Sequence, residues 1–148
     1  MHKLGKYIIF GNFYFLFIGS EDEHGYVQHI IDMTSFPERC RNIAGLLTIP
    51  ELGALLQQCD VVVSNDSGPL HLAAAMGAHT VALFGPESPT FYGPLSKRAT
   101  VVYTPVSCSP CMNVYAAKSF ECHNNARCMH AVEVAEVELA VQQVYSTA

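Results

Sequence analysis

Six residues, Phe13-Tyr14-Phe15-Leu16-Phe17-Ile18, are aromatic or aliphatic without interruption and stop at Gly19-Ser20, which predicts a first buried strand. Glu21-Asp22-Glu23 then places acids where the positive end of a helix would lie, and the apolar spacing carries that helix to about Met33. Residues 41–45 (Arg-Asn-Ile-Ala-Gly) predict a short second strand. Thr48-Ile49-Pro50-Glu51 has the spacing of a capping box with Pro in the first turn, opening a helix that runs to about Cys59. A strand over Asp60–Asn65, a helix over Pro69–Met76 and a strand over Thr80–Phe84 follow. Val101–Tyr103 reads as a further strand and Val132–Tyr145 as a closing amphipathic helix.

This β-α-β-α-β-α-β alternation predicts an α/β fold, a Rossmann-like parallel sheet with helices on both faces. Ligands of such sheets bind at the carboxyl ends of the strands. Gly19-Ser20, Gly45–Thr48, Asn65–Gly68 and Gly85–Ser88 occupy those ends and are expected to converge on one rim. The sharpest of these turns is Asn65-Asp66-Ser67-Gly68-Pro69. Asp66, Ser67 and Gly68 supply turn and cap chemistry, Pro69 suits a first helical turn, and Gly77 suits a helix stop. A strand turning directly into a helix aims free N–H groups and the positive dipole end at one spot, where phosphate is attracted. Ser67 adds a hydroxyl, Gly68 permits close backbone approach, and His71 lies one turn on.

Composition narrows the classes. Of the 148 residues half are apolar and 14% are charged, which suits a folded α/β domain rather than a disordered chain. A net charge of −5 argues against nucleic acid as partner, although backbone amides can still hold an anionic sugar-nucleotide locally. The apolar stretch from Tyr7 to Ile18 is too short for a membrane span and no cleavage site follows it, so a cytoplasmic location is expected. No Gly-x-Gly-x-x-Gly follows the first strand, which removes the nicotinamide and flavin fingerprint. Residues 1–12 are expected to be an N-terminal extension or a fragment end, with residues 13–148 forming the domain.

The run Asn65-Asp66-Ser67-Gly68-Pro69-Leu70-His71-Leu72-Ala73-Ala74-Ala75-Met76-Gly77, with Leu83-Phe84-Gly85-Pro86 after it, resembles the donor-binding half of glycosyltransferase family 9, the ADP-heptose:lipopolysaccharide heptosyltransferases and their relatives. The likeness runs from about Phe15 to the C-terminus. It implies the C-terminal half of a two-domain GT-B architecture, and inverting transfer from a nucleoside-diphosphate sugar, with ADP-heptose as the expected donor in lipopolysaccharide core synthesis. It also implies that the general base belongs to an N-terminal acceptor-binding domain without counterpart here, so the catalytic set of this chain is expected to be empty. The alternative is a nucleotide-sugar-binding module, or a metal-stabilised remnant, without catalysis. Peripheral association with the inner membrane and a separate acceptor-binding chain are the expected partnerships.

By the same resemblance Asp66 lies near the donor sugar and phosphate, and Ser67 and Gly68 meet the pyrophosphate; both also fit a plain helix cap. His71 either donates to a phosphate oxygen or bonds across the sheet end. Leu47 and Thr48 border the base and ribose, or else Leu46 and Leu47 are ordinary core residues. Gly19 and Ser20 match a small-residue loop followed by acids. No cofactor is required for transfer, and no Asp-x-Asp pair is present to hold a metal. In the segment 105–130, Cys108-x-x-Cys111, Cys122 and Cys128 have spacing compatible with a structural zinc site. Free thiols or disulfides are the alternatives, with His123 and His130 as substitute ligands, while Cys40 and Cys59 read as core residues.

Overall fold

Phe15 and Phe17 face the same side of a strand, as period-two alternation requires, and their burial decides the first unit of the fold. In the computed structural model, which describes residues 13–112 and 121–146, the strand β1 spans Phe15–Phe17. Phe15 and Phe17 pack with Val27, Ile31, Cys40 and Ala44, whereas Leu16 between them is exposed. β1 pairs in parallel with β2 (Cys40–Asn42), Phe15 opposite Cys40 and Phe17 opposite Asn42. β2 therefore begins one residue before the expected Arg41, with Cys40 pointing into the core. It stops short of Gly45 because Gly45 takes φ +77° and the Asn42 side chain accepts from the Ala44 N–H at 3.2 Å. Pairing with the first strand nonetheless continues through Ile43 N–H to Phe17 O and Gly45 N–H to Gly19 O.

The expected first helix divides in two: a 3-10 turn over Glu21–Glu23, then α1 over His24–Asp32, whose Val27 and Ile31 enter the core one turn apart. α2 spans Ile49–Leu56. Its continuation to Cys59 tightens into i to i−3 bonds from Gln58 to Leu55 and from Cys59 to Leu56. The chain divides into two compact units, Met1–Leu52 and Gly53–Ala148.

The second unit is built on a three-stranded parallel sheet of β3 (Val62–Asn65), β4 (Thr80–Phe84) and β5 (Ala99–Tyr103), in that spatial order. β5 is two residues longer than the apolar pattern indicates because Ala99 and Thr100 register against Thr80 and Val81. β4 is the centre. Val81 and Leu83 pack on one face with Val102, Ala140 and Val144; Ala82 and Phe84 pack on the other with Leu70, Tyr92 and Tyr103. The first face is covered by α6 (Val134–Tyr145) and the second by α3 (Gly68–Ala75), so helices lie on both faces as the alternation predicts. Gly53 of α2 faces α3, where a Cβ would meet Leu72 and Met76 at ordinary contact distance.

Two single-turn helices were not legible in the pattern: α4 (Pro89–Tyr92), started by Ser88, and α5 (Arg127–His130). Four residues are too few to display a 3.6-residue period. Residues 1–12 and the stretch 113–120 of the cysteine segment lie outside the described residues. Among those described, no helix is long and apolar enough to cross a membrane.

Candidate functional site

β3 and β4 are adjacent and parallel, so their carboxyl ends deliver Asp66 and Gly85–Glu87 to the same edge of the second unit. The ladder runs one residue beyond β3, with the Asp66 N–H donating to Leu83 O at 3.2 Å. Ser67 is then fully extended (φ −158°, ψ 168°) and α3 starts at Gly68, with Pro69 in its first turn. The Ser67 side chain does not cap this helix. Its Oγ instead lies 3.1 Å from Ser64 Oγ, while its backbone carbonyl accepts from the Leu70 and His71 N–H groups. The plain N-cap role expected for the Ser67 hydroxyl is therefore not the one it takes. Pro69 has no N–H and the Leu70 and His71 N–H groups bond Ser67 O, so in the first turn of α3 the Gly68 N–H is the donor outside these bonds, at the positive end of the helix dipole. At Gly68 a Cβ would meet nothing within 4 Å, so the space beside the backbone is open.

His71 Nε2 lies 3.2 Å from Asp66 Oδ1, one turn into α3. His71 is 48% exposed and Asp66 19%, so the imidazole reaches solvent while the carboxylate is largely covered. With the proton on Nε2 the ring donates to Asp66; when doubly protonated it presents Nδ1–H as a second donor. Of the two roles expected for His71, the bond at the sheet end is the one this placement shows.

Glu87, left without a role by the sequence, sits at the same edge. Burial pushes its carboxyl above the ordinary value, and the negative charge of Asp66 pushes it further. Its Oε2 is shielded from solvent and has no hydrogen-bond partner among the described residues. Ser64, which holds the Ser67 hydroxyl, was also missed. Its signal was its position three residues before Ser67 at a strand end, where side chains close a turn.

In the first unit, Gly19 and Ser20 follow β1, and Gly45 to Thr48 follow β2. The two loops interlock: Gly45 N–H donates to Gly19 O at 3.0 Å, and a Cβ on Gly45 would lie 2.6 Å from Glu21 Cα. The Ser20 N–H and hydroxyl both donate to Glu23 Oε2 at 2.8 Å, holding the Glu23 carboxyl below its ordinary value. The Thr48 N–H and hydroxyl do the same for Glu51, at 2.8 and 2.6 Å. Leu46 and Leu47 are 65% and 37% exposed, so neither is the ordinary core leucine that was one of the two expectations.

The cysteine segment closes on the end of β4. Cys111 and Met112 N–H both donate to Pro86 O at 2.9 Å, and the Ser109 hydroxyl donates to Gly85 O. Cys128 is buried, and a Cβ on Gly85 would lie 3.3 Å from its Sγ. Cys122 is exposed and its Sγ accepts the Ala126 N–H at 3.2 Å. Burial raises the Cys111 thiol above its ordinary value, and Cys128, Cys108 and Cys122 raise it further. No disulfide links the cysteines Cys40, Cys59, Cys108, Cys111, Cys122 and Cys128. Among the described residues, no three His, Cys, Asp or Glu side chains already converge as a metal-ligating set.

Comparison with known proteins agrees with this architecture. The model of glycosyltransferase family 9 (heptosyltransferase) matches residues 7–120. Lipopolysaccharide heptosyltransferase 2 of Escherichia coli K12 is 35% identical over 102 residues, which cover 68% of this chain and 29% of that protein. Lipooligosaccharide heptosyltransferase 2 of Haemophilus influenzae is 45% identical over 65 residues, 44% of this chain and 19% of that one. The solved E. coli ADP-heptose lps heptosyltransferase II superposes with a TM-score of 0.70 at 25% identity, over 89% of this chain and 36% of that one. A family 9 glycosyl transferase from Veillonella parvula shares the fold, with a TM-score of 0.74 over 90% of this chain. The chain thus spans about a third of the length of the relatives it matches. With a parallel sheet covered on both faces, an Asp-Ser-Gly turn at its edge and a family match over more than half its length, this chain belongs to glycosyltransferase family 9.

Proposed function

We propose that the turn from β3 into α3 binds the diphosphate of a nucleoside-diphosphate sugar, ADP-heptose by analogy with the solved relative, and so forms the donor part of an inverting glycosyl transfer in lipopolysaccharide core synthesis. The observation that supports this most directly is the uncapped start of α3, with open space at Gly68 and the Asp66–His71 pair beside it. In the transfer, the bond from sugar C1 to the diphosphate oxygen breaks and its electron pair stays on the diphosphate. The acceptor oxygen bonds to C1 from the opposite face and gives up its proton to a base. Negative charge therefore grows on the diphosphate as the reaction proceeds. The Gly68 N–H and the dipole of α3 stabilise that growing charge more than they stabilise the bound donor, which is the condition for catalysis. His71 donates a further proton contact from the same helix, and Asp66 orients it.

On this reading the base that activates the acceptor hydroxyl comes from an acceptor-binding domain or a separate chain, and this chain binds donor without turning it over alone. A lipid-linked acceptor would also keep the protein at the inner-membrane surface without a spanning helix.

Calorimetric titration of the full chain with ADP, UDP, GDP and ADP-heptose tests the proposal. Saturable binding of one diphosphate is expected, with Kd on the order of 0.1–1 mM. Asp66→Ala and Gly68→Val should lose it while keeping the fold, since a valine at Gly68 meets open space in the protein itself. Undiminished binding in both variants would remove the site from this turn. No binding of any nucleotide by the parent chain would leave the second reading, a family 9 fold without donor function.

A further inference from the structure

The cysteine segment has a geometry that the donor reading does not use. Two backbone amides on its first arm, Cys111 and Met112, grip Pro86 O, and Ser109 grips Gly85 O. Its second arm returns to Gly85, because Cys128 and Met129 are the side chains that a Cβ there would strike. Cys111 and Cys128 therefore both lie at the end of β4. The second arm is tightly wound: Asn125 and Ala126 both take positive φ, 48° and 51°, an uncommon pair without glycine. Little apolar packing offsets that conformation, since Cys128 is the one buried residue between Glu121 and Ala131. Cys122 Sγ already accepts a backbone N–H from Ala126, the kind of hydrogen bond that supports a thiolate ligand in a metal site.

We propose that Cys108, Cys111, Cys122 and Cys128 form a tetrathiolate site for one structural zinc ion, which fastens the segment 105–130 to the carboxyl end of β4. Four thiols in a Cys-x-x-Cys plus two single-cysteine arrangement match the ligand number and softness that zinc selects. Cys111 and Cys128 reach the end of β4 at Pro86 and Gly85, and among the described residues the thiols do not yet form a closed ligand set. Zinc displaces the thiol protons on binding, and the free energy of coordination adds to that of folding. The site is structural rather than catalytic, because all four positions are protein ligands and none is left for water. It is independent of whether the turn at Asp66 binds a nucleotide.

The test is metal analysis of the full chain, expressed with zinc in the medium and purified under reducing conditions without chelator. About one zinc per chain is expected. Exchange for cobalt should give the thiolate charge-transfer and tetrahedral d–d bands of a four-sulfur site. Cys122→Ser is the informative variant, because the sulfur it removes is exposed and outside the packed core. It should lose most of the metal and the cobalt spectrum, and Cys111→Ser should do the same, whereas Cys59→Ser should keep both. Metal-free chain that takes up no cobalt overturns the proposal, whether mass analysis finds free thiols or disulfides. Zinc retained at full stoichiometry in both ligand variants overturns it as well, by placing the metal elsewhere.

Discussion

At Glu87, burial and the neighbouring Asp66 act in the same direction, and the carboxylate has a shielded oxygen with no hydrogen-bond partner among the described residues. Its pKa in the folded protein lies above that of the unfolded chain, so ionisation favours unfolding. The cost is fully present above the folded pKa, shrinks as pH falls through it, and is gone below the ordinary carboxylate value. Glu87→Gln should therefore melt higher than the parent at pH 7, with the two melting temperatures converging in acid. A gain that is constant across pH would show that shape, not charge, is responsible. At this scale the sequence singled out Asp66, Ser67, Gly68 and His71 by their spacing, and the structure places them at the turn from β3 into α3. It did not identify Ser64 or the burial of Glu87, because hydrogen-bond partners and solvent access depend on neighbours distant in the chain. Nor could it choose for Ser67 between capping α3 and bonding Ser64, since both need the same residue in the same place.

At the scale of the element, β4 holds the second unit together. Its alternate residues feed two packed faces, and Phe84, fully buried, fills the face under α3 against Leu70, Tyr92 and Tyr103. Phe84→Ala should cost about 3–5 kcal/mol in chemical denaturation, the range for removing a buried aromatic side chain. A loss below about 1 kcal/mol would mean that the face under α3 collapses onto the space, as sites able to relax do. β4 was legible because Thr-Val-Ala-Leu-Phe is a continuous apolar run of strand length between turn signals. β2 was displaced by a residue at its start, since Cys40 gains its place in the strand only from pairing with Phe15. α4 and α5 owe their single turns to local bonds from Ser88 and Ala126 and to packing, neither of which leaves a period in the sequence.

For the whole molecule, the donor reading has a thermodynamic consequence that is separate from turnover. A ligand that binds the folded chain alone stabilises it by RT ln(1 + [L]/Kd), about 1.4 kcal/mol at ten times Kd. For a chain of this length that corresponds to a rise in Tm of roughly 4 °C. ADP should produce this rise in the parent and none in Asp66→Ala. An equal rise in both would assign the effect to binding elsewhere.

The sequence by itself determined the alternation of strands and helices, the parallel α/β class, the family, and the turn at Asp66–Gly68. These follow from local chemistry: apolar periodicity, turn residues and their spacing act over a few positions and survive without knowledge of the rest. Only the tertiary structure decided that Ser67 leaves α3 uncapped, that Asp66 and His71 pair, that Glu87 is shielded beside them, and that both arms of the cysteine segment close on Gly85 and Pro86. Each of these is a contact or a burial between residues brought together by the sheet, and such free energies are set by position in space rather than by order along the chain.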